Sequence, residues 1–208
     1  MTCIQKQNLV NQIHYFSGIV LALFIGAHLL NQLYALNGPE VHIRLMEKMR
    51  KIYRQPLIEG ILLLAVIVQV VTGLKLLLNR KKKKIAEKIQ IYSGIYLSLF
   101  LTAHVSAVLT GRFIEDLDTN FYFAGAGLNS YPLNLLFIPY YVFAVGSISL
   151  HIASLHYLKT GSKWSSYLIG TVGILVSVLI ILGYTHFFQW HIIPEKYHQF
   201  MQKYFGRS

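Results

Sequence analysis

The stretch IHYFSGIVLALFIGAHLL, residues 13–30, stays apolar for longer than a soluble core helix needs, yet it carries a histidine near its end. Almost the same phrase returns as IQIYSGIYLSLFLTAHVS, residues 89–106. At an offset of 76, residues 14–28 and 90–104 are identical at eight of fifteen positions. The identities are Ser17/Ser93, Gly18/Gly94, Ile19/Ile95, Leu21/Leu97, Leu23/Leu99, Phe24/Phe100, Ala27/Ala103 and His28/His104. The match predicts two related helical hairpins, each opened by one copy.

Outward from these copies the chain reads as a series of nearly uncharged runs, at about 12–36, 56–79, 89–111, 132–158 and 164–190. Each is long enough to cross a hydrocarbon core as a helix. An isolated strand cannot satisfy its backbone there. The whole composition agrees: 54% of the 208 residues are hydrophobic and 13% charged, with a mean hydropathy of +0.48. Soluble domains of this size rarely show such values. The expectation is an all-α membrane protein, residues 1–208 forming a single integral membrane domain. Five transmembrane helices are expected, the first four in a cofactor-binding bundle and the fifth peripheral.

The first run is not read as a cleaved signal peptide, being too long and preceded by one lysine, Lys6. The net charge of +11 does not point to nucleic acid, because the basic residues lie between the apolar runs, where membrane topology puts them. The single cysteine, Cys3, excludes an internal disulfide and a cysteine-held cluster.

The loop between spans two and three, NRKKKKIAEK (residues 79–88), is short and densely basic. The next loop sets Arg112 against Glu115, Asp116 and Asp118. Together they predict the N-terminus inside. The first loop is also basic, but its segment HIRLMEKMRKIY (residues 42–53) reads as an amphipathic helix on the membrane surface. Trp164 and Trp190 bracket the fifth span as interfacial residues.

Two crossings separate the first and third spans, so these helices run in the same direction. His28 and His104 therefore share a depth, in the outer half. The stripe of His28 continues through Phe24, Leu21, Ser17 and His14, and that of His104 through Phe100, Leu97, Ser93 and Gln90. The small pairs Ser17–Gly18 and Ser93–Gly94 would let a flat group approach the backbone. Two opposed histidines at one height inside a bundle suit haem, with one imidazole on each axial face. Zinc suits the pattern less, since it asks for four ligands and no carboxylate or thiolate lies nearby. The alternative is a pair of intramembrane histidines bonded to neighbouring helices.

A second site would need a histidine near position 69 to face His151 in the inner half. The sequence has Gln69, a poor haem ligand and an ordinary interhelical hydrogen-bonder. His151 is then read as a lone ligand, as a partner of His14, or as bonding Gln69 across the bundle. Glu59, at the outer start of the second span, is a candidate for proton transfer to a quinone or a haem edge. Arg112, about two turns beyond His104, would meet a haem propionate or a lipid phosphate. His42, His186, His191 and His198 read as surface or interface residues.

The chain resembles the five-helix cytochrome b membrane anchor of succinate:quinone reductase and fumarate reductase, over nearly its whole length. HYFSGIVLALFIGAHLLNQ (residues 14–32) looks like the family's first helix and residues 89–104 like its third. QVVTGLK (residues 69–75) stands where the family has a ligand histidine with glycine four residues on, and SLHIASLHYL (residues 149–158) looks like its fourth helix. The resemblance implies two stacked b haems, the outer on His28 and His104, the inner on positions 69 and 151. Gln69 departs from that pattern and leaves the inner haem in doubt. It also implies flavoprotein and iron–sulfur partners on the cytoplasmic side of a bacterial inner membrane, with electrons passing to or from quinone. A stand-alone single-haem redox or sensor protein, or an anchor that has lost its cofactors, would share these features.

Overall fold

The computed structural model describes residues 3–78, 84–187 and 192–206, and among them it is helical without strands. Helix α1 (Cys3–Leu33) runs into a 3-10 turn (Tyr34–Asn37). α2 (Pro39–Tyr53) starts on a proline whose missing N–H costs nothing in a first turn, with Glu40 at its start and Arg50 and Lys51 at its end. α3 (Pro56–Leu78) starts the same way. α4 (Ile85–Phe113) is capped by the Glu87 carboxylate, which accepts from the Lys84 backbone N–H at 2.9 Å. α5 (Phe121–Asn129) is capped by the Asn120 side chain, which accepts from the Tyr122 N–H at 3.0 Å. α6 (Asn134–Thr160) ends at Gly161, whose φ of 72° suits glycine. α7 (Lys163–Tyr184) and α8 (Glu195–Phe205) complete the chain.

Five of these helices, α1, α3, α4, α6 and α7, are long and apolar enough to cross a membrane. The chain is a multi-pass membrane protein. The spans pack in a ring: α1 on α3, α3 on α4, α4 on α6, α6 on α7, and α7 back on α1 and the 3-10 turn. α1 and α4 therefore stand diagonally across the bundle, as do α3 and α6. The short loops between α3 and α4 and between α6 and α7 share one end, here termed the open end. The other carries α2, α5 and α8 and is termed the capped end.

Two expectations need correction. The fifth span is not the least integrated helix: α7 is the most deeply covered of the five. Gly170, Gly173 and Ser177 let it approach α6, with Gly173 directly against Ser149. α7 also stops at Tyr184, short of the expected 190; Trp190 and His191 lie outside the described residues, as do residues 79–83 of the basic loop. The cap is richer than expected. α2 matches the surface helix read from the sequence, but α5 and α8 were not foreseen. α8 buries Tyr197, Phe200 and Met201 against Phe123 and Ala126 of α5. The Tyr197 hydroxyl donates to the Asp118 carbonyl at 2.9 Å.

Candidate functional site

His28 on α1 and His104 on α4 face each other across the diagonal, ring centroids 6.2 Å apart and planes inclined by 62°. Each ring is backed by the phenylalanine one turn earlier on its own helix. Phe24 stacks on His28 at 5.7 Å and Phe100 on His104 at 5.1 Å. The repeat thus builds the same histidine–phenylalanine stack twice and brings the two together edge-on. Both histidines lie deep among protein atoms, yet each keeps accessible surface, so neither is sealed by neighbouring side chains.

Two neighbouring imidazoles are donors of the kind that bind iron. A metal bonded to a nitrogen of each ring at about 2 Å, from opposite sides, places the ring centroids about 6 Å apart. The 6.2 Å centroid separation is of that size, with the rings inclined edge-on. Among the described residues no group of three His, Cys, Asp or Glu side chains is placed to hold a metal ion. A two-histidine site suits an iron whose remaining ligands come from a macrocycle.

Above His28, toward the cap, lies a polar cluster the sequence did not reveal. Gln32, one turn on, brings its Nε2 within 3.3 Å and 3.5 Å of the two His28 nitrogens. Its Oε1 accepts from the Tyr184 hydroxyl of α7 and lies 3.3 Å from His42 Nε2. His42 Nε2 is also 2.9 Å from the Tyr184 hydroxyl and 3.0 Å from Asn31 Nδ2. His42 is 1% exposed, so of the surface or interface placement expected from the sequence the surface half is corrected: it lies at an interface between helices. Burial, with His28 and Arg50 adding to it, pushes its pKa down to about 4. The available signal was its place on the apolar face of α2, one turn before the equally buried Met46.

Glu59 and Arg112 also sit at the capped end, and they find each other: the Arg112 guanidinium donates to both Glu59 oxygens. The sequence reading had treated the two separately.

At the open end the histidines are held by protein. His14 Nδ1 lies 2.9 Å from the Thr72 hydroxyl and its Nε2 3.2 Å from Gln69 Nε2. The Ser17 hydroxyl donates to Gln69 Oε1 at 2.7 Å. Gln69 thus bonds α1, where the sequence reading had offered His151 as its partner. His151 Nδ1 instead lies 3.0 Å from the Gln90 carbonyl and 3.2 Å from the Ser93 hydroxyl. The paired glycines serve these side chains. A Cβ on Gly18 would meet the Gln69 amide at 3.4 Å, one on Gly94 the His151 ring at 3.3 Å, and one on Gly73 the His14 ring at 3.3 Å.

His156 Nε2 lies 2.8 Å from the Ser165 hydroxyl, and His198 Nδ1 lies 3.3 Å from that of Ser130. Both serve interhelical contacts remote from the histidine pair. No protein-family model, curated protein or solved structure matches the chain, so its resemblance to a cytochrome b anchor rests on its own residues.

Proposed function

We propose that the chain is a membrane-anchor and electron-transfer cytochrome b subunit of a succinate dehydrogenase or fumarate reductase complex, holding one b haem between His28 and His104. The observation that carries the haem is the 6.2 Å pair of phenylalanine-backed histidines on diagonal helices. The assignment to this complex rests on the sequence resemblance described above. Bound there, haem supplies one-electron redox chemistry that side chains lack.

The chain's own residues would hold and tune the site. His28 and His104 would supply imidazole nitrogens to hold the haem iron. Phe24 and Phe100 restrict ring rotation, and Gln32 couples His28 to the buried cluster of His42 and Tyr184. Glu59 offers a carboxylate for proton exchange with a quinone, its charge balanced by Arg112. Ser17, Gly18, Ser93 and Gly94 lie at the other end and support Gln69 and His151. His151 is not given a haem in this reading, because position 69 bonds His14 and Ser17. Dicarboxylate chemistry would sit on flavoprotein and iron–sulfur partners on the cytoplasmic side.

The test is a redox-difference spectrum of the detergent-purified chain with haem quantified per polypeptide, beside affinity purification from its native membrane. One low-spin b haem and a co-purifying flavoprotein are expected. Haem without a dehydrogenase would favour a stand-alone redox or sensor protein; absence of haem would overturn the proposal.

A further inference from the structure

At the capped end, beside the Glu59–Arg112 pair, a polar pocket of about 500 Å³ opens between α2, α4, the loop before α5, and α8. Two carboxylates, Asp116 and Asp118, line it with four cations: Arg50, Arg54, Arg112 and Lys196. Two have carboxylate partners, Arg50 with Asp118 at 2.7 Å and Arg112 with Glu59. Arg54 reaches only a neutral oxygen among the described residues, donating to the Thr119 hydroxyl at 3.1 Å. Lys196 lies over the Tyr197 ring at 5.2 Å. Nε of Arg50 and Nε of Arg54 are buried without a hydrogen-bond acceptor among the described residues. A buried guanidinium donor left without an acceptor is costly, and an anion in the pocket beside these guanidiniums would offset the cost of burying their charge.

The surroundings select the anion. The pocket lies where α3 begins and α4 ends, at the rim of the membrane-crossing segments. Phe113 lines it and is 70% exposed, and Ile114, the next residue, and Leu57, shortly after Arg54 in the chain, are 71% and 76% exposed. A pocket richer in cations than carboxylates, with the exposed Phe113 in its lining, matches a phosphate on two acyl chains better than a free ion.

We propose that this pocket binds the phosphate of an anionic phospholipid, with Arg54 and Lys196 as its principal charge partners and acyl chains lying along Leu57 and Phe113. The site stands whether or not haem binds between His28 and His104.

The test uses the full chain in nanodiscs of phosphatidylcholine with and without phosphatidylglycerol, scored by native mass spectrometry for retained lipid and by thermal unfolding. The wild type is expected to retain phosphatidylglycerol selectively and to unfold at higher temperature with it. Arg54→Gln combined with Lys196→Gln leaves no carboxylate stranded, and it is expected to weaken retention about tenfold. Unfolding of this variant in pure phosphatidylcholine controls for damage to the fold. Equal retention by variant and wild type would overturn the proposal. So would inorganic phosphate or glycerol phosphate giving the same stabilisation without lipid, which would assign the pocket to a soluble anion. His28→Ala should leave lipid retention unchanged; a loss there would mean that the pocket serves a haem substituent instead.

Discussion

The two ends of the bundle use the same residue type in opposite ways. At the capped end the rings of His28 and His104 meet edge-on across a diagonal, each stacked on a phenylalanine of its own helix. At the open end His14 and His151 are engaged by Thr72, Gln69, Ser93 and the Gln90 carbonyl. The repeat supplies Phe24, His28, Phe100 and His104 to the capped end and Ser17, Gly18, Ser93 and Gly94 to the open end, but His14 aligns with Gln90 and His151 lies outside the repeat. What differs is the partner that the second element of each hairpin presents. A glutamine at position 69 satisfies His14, whereas at the capped end Gln32 reaches His28 from its own helix and His104 meets the rings of His28 and Phe100.

The cap sharpens the contrast. Three helices outside the spans cover one end, and α7 is drawn into it. A Cβ on Gly183 would come within 2.7 Å of Leu36 N and 2.9 Å of the Ala35 carbonyl carbon. Those are backbone atoms of the 3-10 turn just beyond His28, and they cannot step aside cheaply. Gly183→Ala should therefore cost about 1–3 kcal/mol by overpacking, read as a lower unfolding temperature in detergent. It should also loosen haem retention, which an equal loss at the open end would not.

Gln69→Leu tests the open end. It removes the acceptor of Ser17 and a partner of His14, and interhelical hydrogen bonds of this kind contribute about 1 kcal/mol. Thermal unfolding should show that loss while the haem content stays the same. A fall in haem would erase the distinction between the ends.

The pH dependence of stability probes the cluster above His28. Folded, His42 stays neutral down to about pH 4, while an ordinary histidine titrates near 6.5. Between those values the unfolded chain binds the extra proton. Stability is therefore full above pH 6.5 and declines as pH falls toward 4. His42→Gln should show a shallower decline over that window, seen in unfolding midpoints measured from pH 7 to about 4. Parallel profiles would mean that His42 carries none of this coupling.

The smallest effect belongs to the rim of the cap. Glu115 accepts from Lys203 at 2.7 Å and from the Tyr204 hydroxyl, contacts that hold its carboxyl below the usual carboxylate range. The pair is exposed, and solvent screens it. Glu115→Gln should barely move the unfolding temperature; a large drop would mean that α8 is anchored there rather than by Tyr197 and Phe200.

What the sequence revealed, and what it hid, follows from the range of each signal. Five spans and the surface helix α2 are legible because hydropathy and helical period are local properties. The depth match of His28 and His104 follows from counting crossings. α5 escapes notice because Phe121–Asn129 is apolar and glycine-rich, without a polar face, so it reads as part of a loop beside a span. α8 is amphipathic, but only the fold supplies the α5 surface that its Tyr197 face covers. The Glu59–Arg112 pair and the His42–Tyr184 contact join residues 53 and 142 positions apart, and nothing local announces either. Gln69 was noticed as an anomaly; its bond to His14 needed the packing of α1 on α3.

The most direct measurement is haem per chain, from redox-difference spectra, in four single variants: His28→Ala, His104→Ala, His14→Ala and His151→Ala. The account predicts that the first two abolish the haem and the last two retain one haem per chain. Haem that survives without His28 and His104, or disappears without His14 or His151, would place the cofactor at the open end and contradict the division of the molecule drawn here.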